Sequence, residues 1–425
     1  MRRWVFRVLG SLVAVLLVFV SVVWVLQIYP RRVAHPALKL ATGTLVLEHV
    51  RILVSPEAPP IEDGTVVVRD GRIAAVGRGV EIPAGAERLN CDHCTVAAGF
   101  WNAHVHFTQP RWAGAEWKRA TDLNAGLADM LLSRGFTTVV DLGSNPADTL
   151  ALRRRIEAGE LAGPYIYSAL AALYPPRGVP YYLRETLPGW LVAMMPQPGT
   201  PEEARRLVRR NLKDGADVTK LFTGSWVERG HVLPMPENIA AAAVETSHQN
   251  GALVFAHPSD MAGTRVAIDS GVDVLAHAAN RTEGVDQTLL AMAVRRKMAM
   301  TPTLKMFATT VSDRPEYLDP IYSQVRQFHE LGGQLLFGTD VGYMTDYSTE
   351  GEFEALGECG LGWRDVLAML TTNPAAQMGA LAAKGTVEPG KLADLTVLDA
   401  DPAASLENFA RVKMTIRSGR VVWQR

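Results

Sequence analysis

The sequence predicts an α/β fold: a closed (β/α)8 barrel, a β-sandwich built from both chain ends, and an N-terminal transmembrane helix ahead of them. Three observations predict it. Between residues 96 and 340, eight short apolar runs alternate with helical stretches, the pattern of a parallel sheet covered by helices and the strand number that closes a barrel. Short alternating strands with tight-turn dipeptides occupy both ends of the rest of the chain. Residues 8–26 are apolar apart from Gly10, Ser11 and Ser21.

That first run is long enough to cross a bilayer, which takes about 20 apolar residues. A cleaved signal peptide usually has a shorter apolar region and a small-residue cleavage site, so the run is read as an uncleaved signal anchor. Arg2, Arg3 and Arg7 precede it, while Arg31, Arg32 and Lys39 flank the far side. The positive-inside tendency then puts the catalytic part outside the cytoplasm, periplasmic or extracellular, with the membrane as a partner through the anchor.

Composition narrows the function class. The 425 residues are 48% hydrophobic and 20% charged, enough for a sizeable core. Lys and Arg (43) nearly cancel Asp and Glu (44), so there is no electrostatic footprint for nucleic acid. Three cysteines make no disulfide framework; Cys91 and Cys94 are read as turn residues, with a local disulfide as the alternative.

Strands are expected over 44–47, 50–53, 65–69 and 72–77, the last two joined across Asp70-Gly71, a strong hairpin signal. The C-terminus mirrors them over 394–399, 412–416 and 420–423, with Ser418-Gly419 between the last two. The expected domains are thus the anchor (8–26), a sandwich from 40–95 and 385–425, and the barrel (96–384). Its strands are expected over 96–102, 137–142, 165–168, 218–222, 253–257, 274–277, 300–304 and 335–340, with helices such as 201–214 and 236–250 between them.

Chemistry in such barrels sits at the C-terminal strand ends. His104 and His106 lie two apart, so they share one face of a strand, a spacing that suits a metal ion. Lys220 interrupts an apolar strand, where an amine is costly unless paired or chemically changed. His257, His277 and Asp340 close three further strands. Six ionisable residues at strand ends of one barrel make a candidate metal site.

These residues also carry a family resemblance. The stretch Gly99-Phe100-Trp101-Asn102-Ala103-His104-Val105-His106 resembles the metal motif of the amidohydrolase superfamily, Gly338-Thr339-Asp340 its final ligand motif, and Thr372-Asn373-Pro374-Ala375-Ala376 the helix after it. Residues 68–73 and 385–395 are similar to its sandwich signatures, and the resemblance covers about residues 42–425. It implies a metal-dependent hydrolase of carbon–nitrogen bonds, with dipeptidases of the Xaa-Pro type the nearest subgroup and imidazolonepropionases similar in their sandwich motifs. Lys220 matches the position that is N-carboxylated in the binuclear branch. By that resemblance His104, His106 and Asp340 hold one divalent ion, His257 and His277 a second, and carboxylated Lys220 bridges them; zinc is the expected metal. Asn102, where the family usually has Asp, Ala98, where it often has Pro, and Pro258 after His257 depart from the pattern without removing a ligand.

A metal-activated water with Asp340 as general base and then general acid would hydrolyse an amide, in a dipeptide or an N-acyl amino acid. Substrate contacts are expected from the long aromatic loop 170–200 (Tyr174, Arg177, Tyr182) and from Trp226, Arg229 and Lys305. The partner is a small-molecule substrate, and self-association is left open. Two other readings remain: a cyclic-amide hydrolase or deaminase of the imidazolonepropionase type, and a non-catalytic membrane-tethered binding protein.

Overall fold

The computed structural model of the chain describes residues 39–425 apart from 90, 92, 281–286 and 313–314. Five strands come first: β1 (Thr44–Leu53), β2 (Ile61–Arg69), β3 (Arg72–Gly77), β4 (Glu87–Leu89) and β5 (Thr95–Ala98). β2 and β3 turn at Asp70 and Gly71, both with positive φ (49° and 77°), the mirror-image turn whose twist matches paired strands.

The chain leaves this sheet for the barrel at Gly99. A Cβ there would lie 2.2 Å from Oγ1 of Thr137, so only glycine lets the backbone pass. The single run expected over 96–102 is thereby split between β5 and β6 (Phe100–Val105), which belong to different sheets.

β6, β7 (Phe136–Asp141) and β8 (Tyr165–Ser168) pair in parallel. β9 (Val218–Phe222) follows, and the antiparallel hairpin β10 (Gly224–Glu228) and β11 (His231–Pro234) stands outside the barrel order. β12 (Leu253–His257), β13 (Val274–Leu275), β14 (Ala299–Met300) and β15 (Gln334–Leu335) continue the parallel sheet from β9. Two seams close the ring. Asp217 N donates to Ser168 O (2.8 Å) between β8 and β9, while Ala103 N donates to Phe337 O (2.7 Å) and Asp340 N to His104 O (2.9 Å) between β6 and the segment after β15. Every residue of β6, β7 and β9 is buried, as expected when both faces of a parallel sheet are covered. The helix Pro201–Asp214 begins on Thr200, whose side chain accepts from Glu203 N, and stops at left-handed Gly215.

β16 (Leu395–Leu398), β17 (Val412–Arg417) and β18 (Arg420–Gln424) return to the first sheet, β16 pairing antiparallel with β5. Both chain ends therefore form one eight-stranded sheet around a shared core that includes Leu47, Val66, Val96, Val397 and Ile416. Two ion pairs are buried here, Lys384–Asp394 (3.0 Å) and Arg417–Glu157 (2.5 Å), and the second ties segments 260 residues apart in sequence.

Two expectations are corrected. The transmembrane helix over residues 8–26 lies outside the described residues, and no helix among the described residues is long and apolar enough to cross a membrane. The membrane anchor, the membrane as a partner and the extracytoplasmic placement that rested on it are therefore withdrawn. Cys91 and Cys94 are not free turn residues but a disulfide, with Cα atoms 5.4 Å apart. Only two residues separate them, which the short loop accommodates.

Candidate active site

All six ionisable residues singled out in the sequence meet at one end of the barrel. Nε2 of His104 and of His106 approach the same Oδ1 of Asp340 at 3.3 and 3.0 Å. Ligand atoms of His104, His277 and Asp340 all lie within 4.8 Å of one another. The His277 ring is 4.4 Å from that of His104 and 4.7 Å from that of His257. Lys220, 1% exposed in the middle of β9, lies near enough to all four imidazoles to perturb each.

The strands fix these positions. Gly338 packs so closely on β6 that a Cβ would lie 2.3 Å from Cγ2 of Thr301 and 3.0 Å from Cβ of His104. Asn102 ties the same two segments: its Nδ2 donates to Thr339 Oγ1 (2.7 Å), and its Oδ1 accepts from His104 N (3.1 Å) and Thr339 N (3.3 Å). An amide serves here because one partner is a hydroxyl that accepts. Asp340 itself stands at φ 56°, a left-handed conformation that costs a non-glycine residue about 1 kcal/mol or more.

Hydrogen bonds also settle two tautomers. Nδ1 of His106 lies 2.7 Å from the carbonyl of Gly143, which can only accept, so Nδ1 carries a proton and in the neutral ring Nε2 presents the lone pair. Nδ1 of His277 lies 2.7 Å from Thr303 Oγ1, whose own proton goes to the Pro302 carbonyl (2.7 Å). The hydroxyl must accept from His277, and Nε2 is again the free lone pair.

Electrostatics points the same way. Burial, reinforced by the Lys220 charge, holds His104, His257 and His277 well below the usual histidine range, so all three are neutral near pH 7, the form that binds metals. Burial also pushes His106 down, but the approach and charge of Asp340, helped by Asp141, outweigh it and raise the ring overall. Burial lowers the Lys220 amine to about 7, with Asp340 opposing. A neutral amine is the form that takes up carbon dioxide. Both ring nitrogens of His104, Nζ of Lys220 and Oδ1 of Asp340 are buried without a hydrogen-bond partner. Imidazoles and a carboxylate left in this state are a donor set that suits a divalent ion.

Two supporting residues were not singled out in the sequence. Asp141 ends β7, fully buried, and accepts from Ser144 Oγ (2.5 Å), Ser168 Oγ (2.8 Å) and Thr149 Oγ1 (3.1 Å). It thereby shapes the turn that offers the Gly143 carbonyl to His106; its place at a strand end was the available signal. Thr303 had none. Phe222 stacks on His257 with ring centres 4.6 Å apart and is backed by Tyr174 at 4.6 Å.

The expected substrate contacts divide. Tyr174 is buried in that aromatic cluster. Loop 170–200 contains two short helices, Tyr181–Thr186 and Gly189–Met194, and Tyr182 on the first feels the charge of Asp340 and lies 5.7 Å from Tyr343. Trp226 is half-buried on β10, and Arg177 is exposed. Arg229 is 3.6 Å from Glu185 and stacks over Tyr181. Lys305 is held by Asp346 (2.7 Å) and the Ser348 carbonyl (2.6 Å).

Comparisons with known proteins agree with this architecture. The chain is similar to a structure from Bifidobacterium longum assigned as a prolidase, with 28% identity, TM-score 0.73, and coverage of 90% of this chain and 95% of that one. A Xaa-Pro dipeptidase with methionine in its active site shares the fold at TM-score 0.76 and 23% identity, over 90% of this chain and all of the other (100%). A deacetylase of Agrobacterium fabrum is 33% identical over 75 residues, which span 18% of this chain and only 16% of that relative. The amidohydrolase family model matches residues 95–422, from β5 through the barrel to β18, and the chain therefore belongs to the amidohydrolase family.

Proposed function

We propose that the chain is a binuclear metal-dependent amidohydrolase that cleaves a carbon–nitrogen bond in a dipeptide or an N-acyl amino acid. One observation carries the reading: His104, His106, Lys220, His257, His277 and Asp340 converge, with buried atoms of His104, Lys220 and Asp340 left unpaired among them. His104, His106 and Asp340 would hold one ion, His257 and His277 the second, and N-carboxylated Lys220 would bridge them. A carbamate suits the bridge because an ammonium cannot bind a cation, whereas a carbamate presents two anionic oxygens. Two divalent ions, zinc for this donor set, would polarise the scissile carbonyl and acidify the attacking water.

The residues then divide the work. Asp340 takes the proton from water and delivers it to the departing nitrogen, so the amide and one water become a carboxylic acid and an amine. Gly143 and Thr303 keep His106 and His277 in the tautomer that faces inward. Phe222 and Tyr174 give the His257 side of the site an apolar wall, which suits an uncharged substrate side chain. The phenol of Tyr182, on a helix close enough to feel the Asp340 charge, would contact the substrate. Similarity to a protein assigned as a prolidase, over nearly its whole length, supports a peptide-like substrate.

Metal content per chain tests this, measured on protein prepared with zinc and bicarbonate beside Lys220→Ala. The expected result is near two ions in the parent and a clear fall in the variant, with hydrolysis found among Xaa-Pro dipeptides or N-acyl amino acids. One ion in both proteins would remove the bridge and turn the search to cyclic amides and deamination. No ion in either would leave a binding protein.

A further inference from the structure

Glu352 is a carboxylate that this chemistry does not use. It lies in the helix Glu350–Glu358, after the loop that follows Asp340, and is 0% exposed. Its two oxygens accept from the first two backbone amides of the helix Leu304–Thr310, Oε1 from Leu304 N (3.0 Å) and Oε2 from Lys305 N (2.7 Å). Those amides follow Thr303 directly. Thr303 is held at φ 53°, a left-handed backbone that a β-branched residue adopts only when its surroundings force it. From that strained position its Oγ1 accepts from Nδ1 of His277 at 2.7 Å.

We propose that Glu352 is a positioning residue: by gripping the amides of Leu304 and Lys305 it holds Thr303 in place, and Thr303 in turn fixes the ring and tautomer of His277. This rests on the reading of His277 as a metal ligand. A carboxylate suits the task because it presents two acceptors and no donor to a pair of N–H groups. Glutamine offers one acceptor and sets an N–H against the other amide. Burial pushes the Glu352 carboxyl up to about 7, against the pull of the two amides and of Lys305. The two amides it accepts from are among those a helix start leaves without intrahelical partners, so the grip also anchors the first turn that follows Thr303. The groups facing it are few: the Lys305 amine is drawn away to Asp346 and Ser348, and Tyr322 and Cys359 lie close enough to feel its charge.

The experiment is a double-mutant cycle on the full chain, reading zinc affinity by competition with a chromophoric chelator. Glu352→Gln and Thr303→Val should each weaken the weaker zinc site by about tenfold, the usual scale for a residue that orients a ligand. If Glu352 acts through Thr303, the double variant falls no further than the worse single one, and Thr303→Ser, which keeps the hydroxyl, retains parent affinity. Zinc-free protein gives a second readout. In 15N-histidine spectra, with the His277 signal assigned by its loss in His277→Gln, the parent shows the Nδ1–H form while Glu352→Gln and Thr303→Val show mixed tautomers. Multiplying losses in the double variant, or a Glu352→Gln protein with unchanged affinity and unchanged His277 spectrum, would overturn the proposal. If the parent binds no zinc, the metal-site reading fails, and the histidine spectra alone decide whether the grip exists.

Discussion

Replacing Lys220 with methionine isolates what the site costs the fold. The side chain is 1% exposed, its Nζ has no hydrogen-bond partner, and burial lowers its amine from 10.5 to about 7. The unfolded chain therefore binds a proton between pH 7 and 10.5 that the folded, metal-free chain does not. Stability of the parent must rise with pH across that window, because the penalty for burying the amine fades as the unfolded amine also loses its proton. The shift corresponds to about 4 kcal/mol at pH 7 and about 2 kcal/mol at pH 9. Methionine fills similar volume without the charge. Metal-free Lys220→Met should accordingly be the more stable protein, and its advantage should shrink by about 2 kcal/mol between pH 7 and pH 9. Urea unfolding of both proteins at the two pH values measures this directly. Adding zinc and bicarbonate should stabilise the parent far more than the variant. Parallel pH profiles for parent and variant would refute the reasoning, since an amine that is not perturbed in the folded state produces no such convergence.

Other substitutions separate chemistry from architecture. Asp340→Asn keeps the shape of the side chain but removes the proton acceptor, and at matched metal content kcat should fall by about 10²–10⁴; steady-state activity within tenfold of the parent would exclude Asp340 as the base. Arg417→Met leaves Glu157, 1% exposed at its side chain, as an unpaired buried charge and should cost about 3–5 kcal/mol in urea unfolding. The paired variant Arg417→Met with Glu157→Leu should recover most of that loss, and failure to recover would mean that the pair is not the source.

What was legible in the sequence depended on period and position. His104 and His106 were readable because strand periodicity puts alternate residues on one face, and Lys220 because an amine inside an apolar run is anomalous at any length scale. The hairpins at Asp70-Gly71 and Ser418-Gly419 were readable because their turns take positive φ angles that favour the glycines at 71 and 419. The break at Gly99 was not: the apolar run is continuous, and only the approach of Thr137 from another strand makes the glycine necessary. The roles of Asp141, Thr303 and Glu352 were equally hidden. Glu352 meets Leu304 across 48 residues of sequence, and nothing local to either position announces the contact. Lys305 and Arg229 show the converse. Each is a cation after a barrel strand, a reasonable anchor for a substrate carboxylate, yet loop packing gives each an acidic neighbour, Asp346 and Glu185.

The tautomers decide what the converged side chains require. His106 and His277 both spend their Nδ1 protons on oxygens outside the site, at Gly143 and Thr303, so each ring in its neutral form turns an Nε2 lone pair inward. Asp340 adds a carboxylate oxygen within reach of His104 and His106. Burial keeps His104, His257 and His277 neutral, so protons are not drawn in at these three rings, and only at His106 does Asp340 favour one. Lys220 is the one amine among them, and burial lowers its proton affinity to about 7. Lone pairs that face one another with few protons to share repel, and a buried acceptor without a partner costs about 1–3 kcal/mol. In the proposed binuclear site, a positive ion at the centre would relieve all of these at once, and a second, made possible by turning the Lys220 amine into an anion, would relieve the His257 side as well. The fold sustains this arrangement through the packing of Gly338 against β6 and the Asn102 bonds to His104 and Thr339, which hold the donors together even though they repel.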